Sequence, residues 1–104
     1  MAEELITHIG EVKVIKATAS GPASYSAGGF TLRINSAKEV KAVIGASNNG
    51  GYKVDPAEIS ISGNELTVKV RYYDYDAAAD GSAIEVTDAT DLSGVTFEVI
   101  VLAV

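Results

Sequence analysis

The clearest pattern in the chain is Glu65-Leu-Thr-Val-Lys-Val-Arg-Tyr72, in which Leu66, Val68, Val70 and Tyr72 fall on one face and Glu65, Thr67, Lys69 and Arg71 on the other. A period of two marks a strand with one buried and one wet face. Glu58-Ile-Ser-Ile-Ser62 alternates in the same way just before it, and Gly63-Asn64 supplies residues that tolerate positive φ. The pair predicts a β-hairpin with a two-residue loop. Further strands are expected over 10–18, 30–34, 39–46, 51–54, 83–87 and 95–103, divided by turn-rich segments at 20–29, 47–51 and 74–82. A single helical turn around 36–39 or 77–80 would not change the class. About eight short strands at this spacing predict an all-β protein, an antiparallel β-sandwich or jelly-roll-like barrel.

Two segments depart from simple alternation. The last strand is apolar on both faces, with Phe97, Val99, Val101 and Ala103 on one and Ile100, Leu102 and Val104 on the other. Either it lies centrally between covered faces or its outer face is buried by another subunit. Each sheet of a small sandwich keeps one solvated face, so Ile100, Leu102 and Val104 are expected at a subunit contact. At the other end, residues 1–9 read as an N-terminal arm ahead of a single domain over 10–104, with Leu5, Ile6 and Ile9 as anchors that could reach a neighbour.

Composition supports this outline. Val and Ile number 21 against five Leu, and Gly recurs at intervals, as short strands and tight turns require. A chain of 104 residues has room for one hydrophobic core. Cysteine is absent, which excludes disulfides and thiolate chemistry. The chain opens on acids where a secretory signal would carry basic residues, so no export signal is read, and the longest apolar run, 99–104, is far shorter than the ~20 residues of a membrane helix. Net charge is −6 and unevenly spread: residues 1–71 hold eight bases against seven acids, whereas 72–104 hold seven acids and no base. Nucleic acid is therefore not an expected partner. The acids either keep a largely apolar chain soluble or face a basic patch on a partner.

Candidate chemistry is sparse. His8 has no second His or Cys to share a metal, and no Gly-x-Ser-x-Gly elbow occurs. Asp74, Asp76 and Asp80 are spaced like calcium ligands, but Ala78 and Ala79 stand where an EF-hand loop needs an oxygen donor and a glycine. They form a weak metal set at most, with Asp88 or Asp91 as further donors. Paired carboxylates could cleave glycosides, yet tryptophan, a usual sugar platform, is missing. Neither catalytic residues nor a cofactor are expected. Tyr72, Tyr73 and Tyr75 cluster at a strand end and suit a contact surface, while Tyr25 and Tyr52 sit beside glycine-rich turns. A second function class follows from these: a small-ligand or carbohydrate-binding module using Tyr25, Tyr52 and the acidic loop.

Over roughly the last 80 residues the order of pieces resembles small virion structural proteins of tailed bacteriophages and prophages. The runs are Tyr25-Ser-Ala-Gly-Gly-Phe-Thr-Leu32, Val40-Lys-Ala-Val-Ile-Gly45, Gly51-Tyr-Lys-Val54, Gly63-Asn-Glu-Leu-Thr-Val68, and 87–101, where Asp91-Leu-Ser-Gly-Val-Thr96 leads into the apolar closing strand. The resemblance implies a β-sandwich that decorates or cements a capsid as a homotrimer, or forms part of a head fibre or tail. Its partners would be further copies of itself and the major capsid protein or another virion protein. It would be made in the host cytoplasm and end in the virion. The family brings no catalytic residues, and the acidic C-terminal third matches none of its features.

Overall fold

The computed structural model describes residues 2–73 and 83–104. Among these residues nine strands follow in order: β1 (Ala2–Ile9), β2 (Val12–Ser20), β3 (Phe30–Arg33), β4 (Val40–Asn48), β5 (Ser60–Ser62), β6 (Glu65–Val68), β7 (Arg71–Tyr73), β8 (Ala83–Glu85) and β9 (Thr96–Ala103). They form a four-stranded sheet in the order β1-β2-β9-β4, a three-stranded sheet β3-β6-β5 and a β7-β8 pair. Every ladder is antiparallel. The protein is all-β and sandwich-like, as the alternation predicts.

The core lies between the four-stranded and three-stranded sheets. Ile15 and Ala17 of β2, Val40 of β4 and Phe97, Val99, Val101 and Ala103 of β9 meet Leu32, Leu66 and Val68 from the opposite sheet. Tyr25, Ile34, Ala37, Ile59, Val70, Val86 and Leu92, outside the strands, complete the same cluster. Among the described residues the Tyr25 phenol is the one fully buried side chain with a polar group, so burial here is almost purely apolar.

The alternation from Leu66 to Tyr72 survives a change of sheet. β6 pairs with β3 and β5, whereas β7 pairs with β8, and Lys69 and Val70 between them belong to neither strand. Leu66, Val68 and Val70 are nonetheless all fully buried. The segment bends around a corner of the sandwich without rotating its apolar face out of the core.

Two glycines set the hairpins. Gly63 adopts φ +59° at the first central position between Ser62 and Glu65, as a two-residue hairpin loop with glycine there requires. Gly10 does the same at φ +61° between Ile9 and Val12. Residues 2–9, expected as an arm, are therefore folded back on β2 as the outermost strand of the sheet. The ladder shifts between Leu5 and Thr7, leaving Ile6 as a bulge.

Other expectations shift locally. Of 51–54 only Lys53 joins a ladder, as an isolated bridge to Arg71. The helical turn falls at Pro56–Glu58 as a 3-10 turn, because Pro56 opens it and the Asp55 carboxylate accepts from the Ala57 amide at 2.9 Å. The segment around 36–39 is a turn without helix, and 77–80 lies outside the described residues.

Leu66→Ala should cost about 2–5 kcal/mol, the usual range for a buried leucine whose cavity cannot collapse. Gly10→Ala should cost about 1–2 kcal/mol from the left-handed backbone alone, since an added Cβ meets nothing within 4 Å. Urea denaturation measures both losses, and hydrogen exchange in the second variant should show β1 fraying first.

Candidate contact faces and binding cleft

β9 is central, and register decides what each of its faces carries. On the inner face Val99 and Val101 are aligned with Ala17 and Ile15 of β2 and with Ala46 and Val43 of β4. On the outer face Ile100 lies between Lys16 and Gly45, and Leu102 between Val14 and Ala42. Ile100, Leu102 and Val104 are half-buried. Gly45 contributes no side chain, and a Cβ there would lie 3.8 Å from the Cβ of Ile100, so its absence uncovers one flank of Ile100. Next to it, Ile44 fills a bulge in β4 and is 55% exposed. The outer face is thus apolar around Val14, Ala42 and Leu102, mixed at Ile100, which Lys16 flanks, and polar at its other end, where Glu98 aligns with Thr18 and Ser47.

β1 carries further exposed apolar residues at the sheet edge: Ile9 aligns with Val12 on the outer face, Ile6 sits in the bulge, and Leu5 aligns with Ile15 on the inner face. Leu5, Ile6 and Ile9 are 55%, 50% and 75% exposed. The strand is anchored at its start by Glu3, whose carboxylate accepts from the amides of Asn35 and Ser36, both at 2.9 Å, and from the Ser36 hydroxyl at 2.6 Å. Burial acts to raise the Glu3 pKa, but the bonds from Ser36 and Asn35 outweigh it and hold the carboxyl below the ordinary value. Glu4 pairs with Lys16 across the ladder at 3.4 Å. His8 aligns with Lys13 and is exposed.

Of the described acids in the C-terminal third, Glu85, Asp88 and Asp91 hold loops. Tyr25 is buried, and its hydroxyl donates to Glu85 Oε2 at 2.8 Å while accepting from the Val70 amide at 3.1 Å. The same Glu85 oxygen accepts from the Gly28 amide at 2.7 Å, and Asp88 accepts from the Ala27 amide at 2.5 Å. Backbone bonds from Ala89 to the Tyr25 carbonyl (2.7 Å) and from Tyr25 to the Thr90 carbonyl (2.9 Å) complete the zipper between the two loops. Asp91 accepts from the Ser93 hydroxyl and amide, which lower its pKa. The Gly28 amide and then the Tyr25 hydroxyl hold Glu85 below the ordinary carboxylate range. Burial is the main reason that the Tyr25 hydroxyl is pushed up to about 12. Nearby, Glu58 and Arg71 form a bidentate pair with contacts of 2.9 and 2.7 Å, and Arg71 holds the Glu58 carboxyl below its usual range.

Beside this zipper lies a cleft of about 580 Å³ lined by Gly50, Gly51, Tyr52, Tyr72, Val86, Thr87 and Thr90. The Lys53–Arg71 bridge puts Tyr52 across from Tyr72. One wall is the 48–52 turn, where Asn48 Oδ1 accepts from the Gly50 and Tyr52 amides at 2.9 and 3.1 Å and Nδ2 donates to the Tyr52 carbonyl at 2.8 Å. The other is the 87–90 turn, in which Ala89 holds φ +68° and the Thr90 hydroxyl donates to the Thr87 carbonyl at 2.7 Å.

The expected site residues therefore separate. Leu5, Ile6, Ile9, Ile100, Leu102 and Val104 belong to the four-stranded sheet and its end, whereas Tyr72 lines the cleft. Tyr25, expected as a ligand contact, is instead buried structure, because its ring fills the core and both hydrogen-bonding capacities of its hydroxyl are used. Tyr75, Asp74, Asp76 and Asp80 lie outside the described residues, as does the side chain of Tyr73. Among the described residues no group of three or more His, Cys, Asp or Glu could hold a metal ion. Thr87, Thr90 and the Gly50-Gly51 turn were not singled out as contacts by sequence. Only the joining of two loops distant in the chain makes them neighbours. Comparison with protein-family models, curated proteins and solved structures finds no match for this chain.

Tyr25→Phe leaves the Val70 amide without its acceptor and should cost about 1–3 kcal/mol at neutral pH. The variant should also change the alkaline limb. The folded pKa of about 12 exceeds the ordinary 10.0, so wild type keeps this contribution below pH 10 and loses it as pH rises toward 12. Denaturant titrations at pH 8 and pH 11.5 should show a smaller difference for Tyr25→Phe than for wild type.

Proposed function

We propose that this chain is a non-enzymatic assembly subunit that associates with copies of itself through the outer face of its four-stranded sheet. In finer form, the reading is a virion structural protein, a capsid decoration or cement subunit that trimerises and docks on the major capsid protein or another virion protein. The observation that carries the assembly reading is the apolar outer face of β9 and its neighbours. A central strand on an open sheet face ordinarily alternates, yet Leu102 faces outward between Val14 and Ala42 and Ile100 between Lys16 and the bare Gly45, with the exposed Ile44 alongside. The finer reading is supported by the resemblance of the runs at 25–32, 40–45, 51–54, 63–68 and 87–101.

Burying an aliphatic side chain of this size contributes ~1.5–3 kcal/mol, and symmetry repeats each contact in every subunit. A charge at Ile100 or Leu102 should therefore dissociate the oligomer while each subunit stays folded. Light scattering should give an oligomer for wild type and a monomer for Ile100→Asp, with the β-sheet circular dichroism of the two alike. A wild-type chain that remains monomeric at high concentration overturns the assembly reading. An oligomer that fails to bind assembled capsids overturns only the decoration reading.

A further inference from the structure

We propose that the cleft between the 48–52 and 87–90 turns is a binding site for a neutral saccharide. Its volume of about 580 Å³ lies within the range of sites that enclose small ligands. Among the described residues no charged side chain lines it, so it offers an ionic ligand no counter-charge. Its lining combines two chemistries: Tyr52, Tyr72 and Val86 supply apolar surface, and Thr87, Thr90 and the Gly50-Gly51 backbone supply polar groups. A purely hydrocarbon ligand would strip water from those polar groups without replacing its hydrogen bonds. A sugar ring satisfies both sets, because its C–H face packs on an aromatic side chain while its rim of hydroxyls donates and accepts.

The walls are also held in place before any ligand arrives. Because the Thr90 hydroxyl donates to the Thr87 carbonyl, its oxygen remains oriented as an acceptor. The Ala89 conformation between them, φ +68°, is uncommon for a residue with a Cβ and is maintained by the bond from its amide to Tyr25. The opposite wall is fixed by the three bonds of the Asn48 side chain. A preformed cleft spends little binding energy on ordering its own loops, which suits the weak intrinsic affinity of sugars.

The cleft shares no residue with the outer sheet face, so the two proposals fail independently. The test is an NMR titration of the isotopically labelled full chain with glucose, galactose, N-acetylglucosamine, maltose and chitobiose, alongside a proline-rich peptide and a fatty acid. At least one sugar should shift the amides of 50–52 and 86–90 with millimolar affinity. Thr87→Val and Tyr52→Ser should each weaken that binding by about tenfold or more, and Thr87→Ser should restore most of it. Ile100→Asp should leave it unchanged. Silence toward every sugar, shifts only with the peptide or the fatty acid, or sugar binding unaffected by Thr87→Val in a folded chain would each overturn the proposal.

Discussion

β9 is hydrogen-bonded along both edges, to β2 on one side and β4 on the other, and its alternate residues from Phe97 to Ala103 are fully buried. A strand held this way has one tolerable register, because a slip of one residue would exchange Phe97, Val99, Val101 and Ala103 for Glu98, Ile100 and Leu102 on the core side. The neighbours inherit that register. Ile15 and Ala17 are set inward through β2, and Val43 and Ala46 through β4. The ends of the strand are fastened too: Val104 exchanges backbone bonds with Glu39, and the Thr96 amide donates to Asn49 Oδ1 at 2.8 Å while its carbonyl accepts from the Asn49 amide. The second fastening fixes the start of the turn that walls the cleft.

From this arrangement come two surfaces of different physical character. The outer sheet face is open and apolar at the end around Val14, Ala42 and Leu102, and polar from Lys16 toward Glu98. The cleft is concave, mixed in polarity and braced by side-chain hydrogen bonds, suited to a small ligand with its own hydrogen-bonding groups. The edges of the four-stranded sheet differ as well. β4 is interrupted by two bulges and carries Lys41, devices that discourage another strand from adding to it. β1 has a bulge, Glu3, Glu4 and His8, but also Ile9, the most exposed large hydrophobic residue among those described.

The acidic C-terminal third takes on a different meaning in three dimensions. Read as a charge total, it suggests solubility or a basic partner. Glu85, Asp88 and Asp91 instead each accept backbone amides, and two of them join the 25–28 loop to the end of β8 and the segment after it. A carboxylate that accepts amide bonds is a loop brace whose charge is partly spent locally, which reduces what it offers to a partner.

Much of the fold was legible because strand patterning is local. The alternation at 65–72, the Gly63-Asn64 turn and the two-faced apolar run at the end of the chain each follow from residues within a few positions of one another. The Gly10-Glu11 turn carried the same kind of signal, and glycine at the first loop position would have identified β1 as half of a hairpin. What sequence could not determine was adjacency across long separations. The placement of β9 between β2 and β4, the burial of Tyr25 against a glutamate 60 residues away, and the meeting of Tyr52, Tyr72, Thr87 and Thr90 around one cleft depend on which strands pair. Local pattern states that a side chain will be buried or exposed. Only the packed sheets decide what it is buried against, because apolar burial is non-directional and many strand orders would satisfy the same alternation.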